Sequence, residues 1–181
     1  MTPERKRVVF AVFIILTMVL GTVGFIGSGS VNTVQPSKFR GHELVSGNGV
    51  WEVSLSKEEK LTFYENPVEL EKLPYIPIDK SSGRVYVAYS PLEERSEVNP
   101  AIQRLVGLFR YKRVIVQTAC LGEEGCVEDI PIVNCEGVIS VVWVRSSNET
   151  MMSRDGSCIV VEGDIAGLER LTNRILIEEV L

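Results

Sequence analysis

Four cysteines, Cys120, Cys126, Cys135 and Cys158, are the residues whose type and spacing most invite chemistry in this chain. Dithiol redox exchange wants Cys-x-x-Cys, which is absent. Structural zinc wants equally tight spacing or nearby histidines, whereas Cys120 and Cys126 are separated by five residues and no histidine lies near them. An even number of thiols in an oxidising compartment closes into disulfides, so two structural bridges are expected. Four cysteines allow three pairings. The preferred one joins Cys120 to Cys126, closing the loop Leu121–Gly125, and Cys135 to Cys158. The second bridge requires the run Thr150–Ser153 to be a strand, so that the segments after Cys135 and from Cys158 point the same way. A plain hairpin between those segments would hold the two cysteines roughly 23 Å apart.

His42 is the only histidine. His42-Glu43 begins like the zinc-protease pattern H-E-x-x-H, but Ser46 occupies the second histidine position. A Ser-His-Asp triad would have to use His42, and no G-x-S-x-G elbow supplies its serine. His42 therefore reads as a surface residue. Glu123, Glu124, Glu128 and Asp129 surround Cys126 with carboxylates, the ligand type of hard cations. They lack the alternation and fixed glycine of calcium loops, and read as a solvated acidic loop. No metal and no cofactor is expected. Asn148-Glu149-Thr150 is a glycosylation sequon, which marks Asn148 as a candidate acceptor on an exposed loop. Trp51 and Trp143 fall in strand patterns and read as core.

The elements that must position these residues follow from periodicity. Val50–Leu55 alternates as a half-exposed strand, though Trp51 breaks strict alternation, and Asn66-Pro67 reads as the cap and first position of a short helix that continues through Val68–Leu73. Ile76–Asp79, a turn at Lys80–Gly83, and Arg84–Tyr89 read as strand, turn and strand. Asn99-Pro100 opens a helix whose Ile102, Leu105, Val106 and Phe109 share one face, and the β-branched run Arg113–Ala119 follows as a strand. Strand, helix and strand make a βαβ unit with a parallel pair. Val138–Val144 is a nearly continuous apolar strand, covered on both faces. Asp155-Gly156 turns the chain into the strand Cys158–Val161. Asp164 caps a final helix with Ile165, Leu168, Leu171, Ile175 and Leu176 on one side, and Glu169, Arg170, Asn173, Arg174 and Glu178 mostly on the other. The expected fold class is α/β: one sandwich domain whose mixed sheet is parallel at its heart. A ligand would meet it at the carboxyl ends of the strands, near Ser90, Thr118 and Asn134. The bland alternative is that the cysteines merely staple a long loop there.

The location of that domain is read from the other end of the chain. From Val8 to Ser37 there is no charged residue. Val8–Ile26 would span roughly 28 Å as a helix, against about 30 Å of bilayer core. Arg5-Lys6-Arg7 precedes it, which places the N-terminus in the cytoplasm. The expected organisation is a basic stub over 1–7, a transmembrane signal anchor over 8–26, a flexible stalk over 27–40 and an extracytoplasmic domain over 41–181. A cleaved signal peptide is the rival reading, with the same topology, but its apolar region would run only about 7–15 residues. Gly21 and Gly24 lack the G-x-x-x-G spacing of paired spans. The stub carries +2 of a whole-chain charge of −5, leaving −7 on the exported part. Such a domain repels phosphate backbones, so nucleic acid is not an expected partner.

Two functions follow. The first is a single-pass membrane protein whose outer domain is a non-enzymatic binding or interaction module for a protein or cell-envelope partner. The alternative is a membrane-tethered extracytoplasmic enzyme with its site at the carboxyl ends of the parallel strands. Convergent carboxylates with shifted pKa values in a pocket favour the enzyme, and an apolar patch without them favours the module. The sequence carries no signal for oligomeric state.

Overall fold

The computed structural model describes residues 37–93, 95–127 and 129–181. The expected stub over 1–7, the apolar span over 8–26 and stalk residues 27–36 lie outside the described residues, as does Glu128. No helix among the described residues is long and apolar enough to cross a membrane.

The fold opens with an antiparallel meander: β1 (Ser37–Phe39), β2 (His42–Gly47), β3 (Val50–Ser54) and β4 (Lys60–Phe63), in that spatial order. Two tight turns build it. Arg40-Gly41 has φ of 49° and 87°, and Asn48-Gly49 has 53° and 76°. This is the primed geometry whose twist matches paired strands. The ordered domain thus begins before residue 41, correcting the stalk boundary: Phe39 is only 3% exposed and packs with Leu44, Val53 and Phe63. Asn66 then caps the short helix α1 (Pro67–Leu70), its Oδ1 accepting the Val68 N–H at 3.0 Å. Residues 74–80 form no strand, contrary to expectation. Pro74 and Pro77 lack the N–H groups that a ladder needs.

The second sheet contains β5 (Arg84–Tyr89), β6 (Ile115–Leu121), β7 (Ile132–Val133), β8 (Ser140–Ser146), β9 (Met151–Asp155) and β10 (Cys158–Gly163). Their order is β7-β6-β5-β8-β10-β9, parallel throughout except for β9, which is antiparallel to β10. The chain is therefore mixed α/β with one antiparallel and one largely parallel sheet. Helix α2 (Arg95–Tyr111) links β5 to β6, completing the expected βαβ unit. It starts before Asn99-Pro100, with Pro100 inside it. Burial of Val98 beside Ala101 and Ile102 rewards that earlier start, and the fixed φ of proline is itself helical. Ile102, Leu105, Val106 and Phe109 are all buried, as their spacing demands. The helix ends at Tyr111, and Arg113 just beyond it has a φ of 57°. The Val114 N–H returns to the Phe109 carbonyl at 2.9 Å and the Arg113 N–H to Arg110 at 2.9 Å, a Schellman closure. That turn delays β6 to Ile115. Likewise Val138 is 95% exposed and β8 starts at Ser140.

The last helix, α3 (Ile165–Val180), is capped by Asp164, whose Oδ1 accepts the Gly167 N–H at 2.7 Å. With α2 it covers one face of the parallel sheet, over Val85, Val87, Val142, Val144, Ile159 and Val161. Its other side meets the meander, where Ile177 joins Phe63, Val53 and Leu70 in a second core. This sandwiching corrects the expected polar side: Asn173 is 2% exposed and Arg174 9%, while Ile165 is 56% exposed. Arg174 is kept soluble inside by neighbours. Its Nε donates to the Leu73 carbonyl at 3.1 Å, its guanidinium lies 5.6 Å from the centre of the Tyr75 ring, and it pairs with Glu178. Arg40 also binds Glu178 and, outweighing burial, holds that carboxyl below the usual carboxylate range. Glu179 accepts from the Tyr75 hydroxyl at 2.9 Å and pairs with Lys80. Burial, then Glu179, pushes the Tyr75 phenol far above its ordinary pKa. These groups tie the irregular segment over 74–80 to α3.

Candidate functional site

The second face of the parallel sheet carries no helix among the described residues, and the cysteines determine what lies on it. Cys120 is bridged to Cys126 with Cα atoms 6.1 Å apart, and Cys135 to Cys158 at 4.9 Å. This is the preferred pairing, for the stated reason: β9 is a strand, so β10 runs parallel to β8 with Cys158 opposite Val141. Cys135 packs over the small side chains Ala88 and Ala119 together with Val141 and Cys158. Its carbonyl accepts the Ser157 N–H at 2.7 Å. Gly156 makes this approach possible, because a Cβ there would stand 2.1 Å from that carbonyl oxygen and its φ is +55°.

The residues expected at the ligand edge do not converge. The Ser90 hydroxyl accepts the Leu92 N–H at 3.4 Å and its carbonyl the Glu93 N–H at 3.1 Å, so Ser90 is occupied in a turn. Thr118 lies inside β6 rather than beyond it, lining a pocket of about 100 Å³ with Tyr89 and Ile102. Asn134 accepts the Glu136 N–H at 3.1 Å, again closing a local turn. Neither Ser90 nor Asn134 lines the Thr118 pocket. Glu123, Glu124 and Asp129 are exposed, and no group of three or more metal-ligand side chains assembles among the described residues. Asn148 is exposed in the turn between β8 and β9. His42 is half-buried, its Nδ1 donating to the Ser54 carbonyl across the meander at 3.1 Å. Both tryptophans are half-buried rather than core. Arg145 lies 5.2 Å from the centre of the Trp143 ring.

The carboxyl ends of β5 and β8 nevertheless gather polar groups that the sequence reading missed. The chain leaves β5 for β6 on one side and β8 for β9 and β10 on the other, so the two ends diverge. Ser146, at the end of β8, offers its N–H to Glu93 at 3.4 Å and its hydroxyl to Glu97. Arg145 beside it pairs with Glu162, whose side chain is 7% exposed. Burial lifts the Glu93 carboxyl above its usual range. The Ser146 N–H and Arg145 oppose that shift, and Glu97 adds to it. The signal in the sequence was the acidic run Glu93, Glu94 and Glu97 directly after an expected strand. Ser146 donates to Glu97 rather than presenting a free nucleophile.

A raised folded-state pKa means that Glu93 contributes stability fully present below its unfolded pKa and lost as pH rises through the folded value. Glu93→Gln is therefore expected to exceed the wild type in stability at neutral pH, with the gain vanishing in acid. Urea unfolding at the two conditions checks this, and a variant less stable at neutral pH would contradict it.

A wider groove lies elsewhere, where the β3–β4 turn meets the carboxyl ends of α2 and α3. It holds about 400 Å³, with Leu55, Leu61, Leu108, Leu176 and Val180 lining it beside Tyr111. Glu58, Glu59 and Lys60 line it as well, and the Tyr111 hydroxyl donates to Glu59 at 3.3 Å. Lys60 is pulled up in pKa by its hydrogen bond to Glu52 and stays a cation. No sequence periodicity announces this groove, since its walls come from three elements far apart in the chain. Comparison with family models, with curated proteins and with solved structures finds no match.

Proposed function

We propose that this is a single-pass membrane protein whose C-terminal domain works outside the cytoplasm as a binding module for a protein or envelope component. The observation that carries the binding half is the groove of about 400 Å³, in which Leu55, Leu61, Leu108, Leu176 and Val180 sit beside Tyr111 and the charged residues Glu58, Glu59 and Lys60. Such a surface recognises an apolar side chain or short segment with polar or charged flanks. The uncharged run after Arg5-Lys6-Arg7 and the complete pairing of the cysteines support the location.

Two measurements test the reading. Protease added to intact cells is expected to digest the domain while membrane pelleting retains the full-length chain, and a C-terminal reporter active only in the cytoplasm would defeat the location. A photo-cross-linker in place of Tyr111 is expected to capture a partner in situ, and Leu61→Glu to abolish that capture. Capture unaffected by Leu61→Glu would remove the groove from the proposal. The second reading, a tethered enzyme, rests on Glu93, Glu97 and Ser146. Loss of cellular function in Glu97→Gln with capture intact would favour it.

A further inference from the structure

The two outer strands of the parallel sheet are guarded very differently. At one edge β9 carries Arg154 and Asp155, and Arg154 donates to the Pro77 carbonyl at 2.9 Å, holding the segment over 74–80 nearby. Charge and cover of this kind keep an edge from pairing with another chain. At the other edge β7 opposes only Cys120 and Leu121 of β6. Among the described residues nothing pairs with the edge from Ile115 to Ala119. From Val114 to Leu121 no residue is charged, and Ile115 is 60% exposed. The Cys120 N–H points outward to the Pro131 carbonyl at 2.8 Å and the Gly122 N–H towards Val133 at 3.4 Å. With a period of two, the N–H and C=O of Val116 and Thr118 leave the same edge.

We infer that this edge pairs with itself in a second copy of the chain, antiparallel about a two-fold axis through Val116. In this register Ile115 faces Gln117 of the second copy, and Val114 faces Thr118. Each Val116 N–H meets the Val116 carbonyl of the other copy, and each Thr118 N–H meets the other Val114 carbonyl. The Val114 N–H is already held by Phe109 and asks for nothing. Length fits as well as hydrogen bonding. Arg113 turns the chain away at a φ of 57°, so the incoming strand ends opposite Thr118, before β7 begins opposite Cys120. Charge also complements. Lys112 and Arg113, exposed in the turn before β6, approach the exposed Glu123, Glu124 and Asp129 of the other copy, and the two-fold repeats the contact. The interface is smaller than standard size, so association belongs to high local concentration.

The test uses the full-length chain in detergent at roughly 0.1 mM, where a small interface still associates. Light scattering is expected to report a dimer for the wild type and monomers for Val116→Pro and Ile115→Lys, all with native near-ultraviolet dichroism. Val116→Pro deletes an N–H that has no partner among the described residues. Ile115→Lys charges an exposed position, and keeps the test valid if the proline variant fails to fold. When Ile115→Cys and Gln117→Cys chains are mixed, mild oxidation is expected to link one to the other. A monomeric wild type overturns the inference, as it would if another segment occupied the edge. So does a dimer that survives Ile115→Lys, as pairing of the membrane spans alone would produce. Linkage of Gln117→Cys to itself overturns the register.

Discussion

Replacing Cys135 and Cys158 together by alanine lowers the unfolding free energy by about 3 kcal/mol, the chain-entropy value for a loop of this size. The bridge spans 23 residues, whereas Cys120–Cys126 spans 6, whose removal should cost nearer 2 kcal/mol on the same account. Against a typical total of about 5–15 kcal/mol, the larger loss is a substantial fraction of the stability. The covalent link is only part of the arrangement, because the Cys135 carbonyl also accepts the Ser157 N–H over Gly156. Gly156→Ala should cost a further 2–5 kcal/mol or so, from roughly 1–3 of overpacking and 1–2 of left-handed backbone strain. Combined with the cysteine substitutions it should cost less than the sum, since the freed segment can move off the new methyl group. Urea unfolding of the four proteins measures both. Strict additivity would mean that Cys135 is not held by the contact at Gly156.

Ile177→Ala should cost about 2–5 kcal/mol, as expected for a buried isoleucine whose site cannot collapse. Ile177 is fully buried, and α3 supplies it to the meander while supplying Leu168, Leu171 and Ile175 to the parallel sheet. One helix thus serves two cores. Calorimetry of wild type and variant should therefore show one cooperative transition, shifted downwards in the variant. A separate early transition, sensitive to Ile177→Ala while the main one stays in place, would show that the meander unfolds alone.

Much of the parallel half was legible because its signals are local. The spacing of Ile102, Leu105, Val106 and Phe109, the β-branched run ending in Thr118, and Asp164 before an apolar helix each report one buried face or one cap, and each corresponds to an element of the fold. The cysteine pairing was legible conditionally: it followed once the segment before Asp155 was taken as a strand, which makes β8 and β10 parallel. The meander was mostly missed, although Asn48-Gly49 is a strong hairpin dipeptide, because its strands are short and only one of them alternates cleanly.

What tertiary structure alone decided concerns residues that meet a second layer. Periodicity distinguishes a buried side from an exposed one, and cannot say that both sides of α3 are covered. Asn173 and Arg174 therefore looked solvent-facing, yet they are enclosed between α3 and its neighbours. The polar cluster at Ser146 and the groove at Tyr111 have the same origin. Glu93 and Ser146 are 53 positions apart, and they meet only because β5 and β8 are adjacent and parallel. A helix stripe or a cap is settled by neighbours within a few residues, so the sequence by itself determines it. A site assembled from ends of distant strands depends on strand order, and strand order is chosen by how all the layers bury their apolar faces at once.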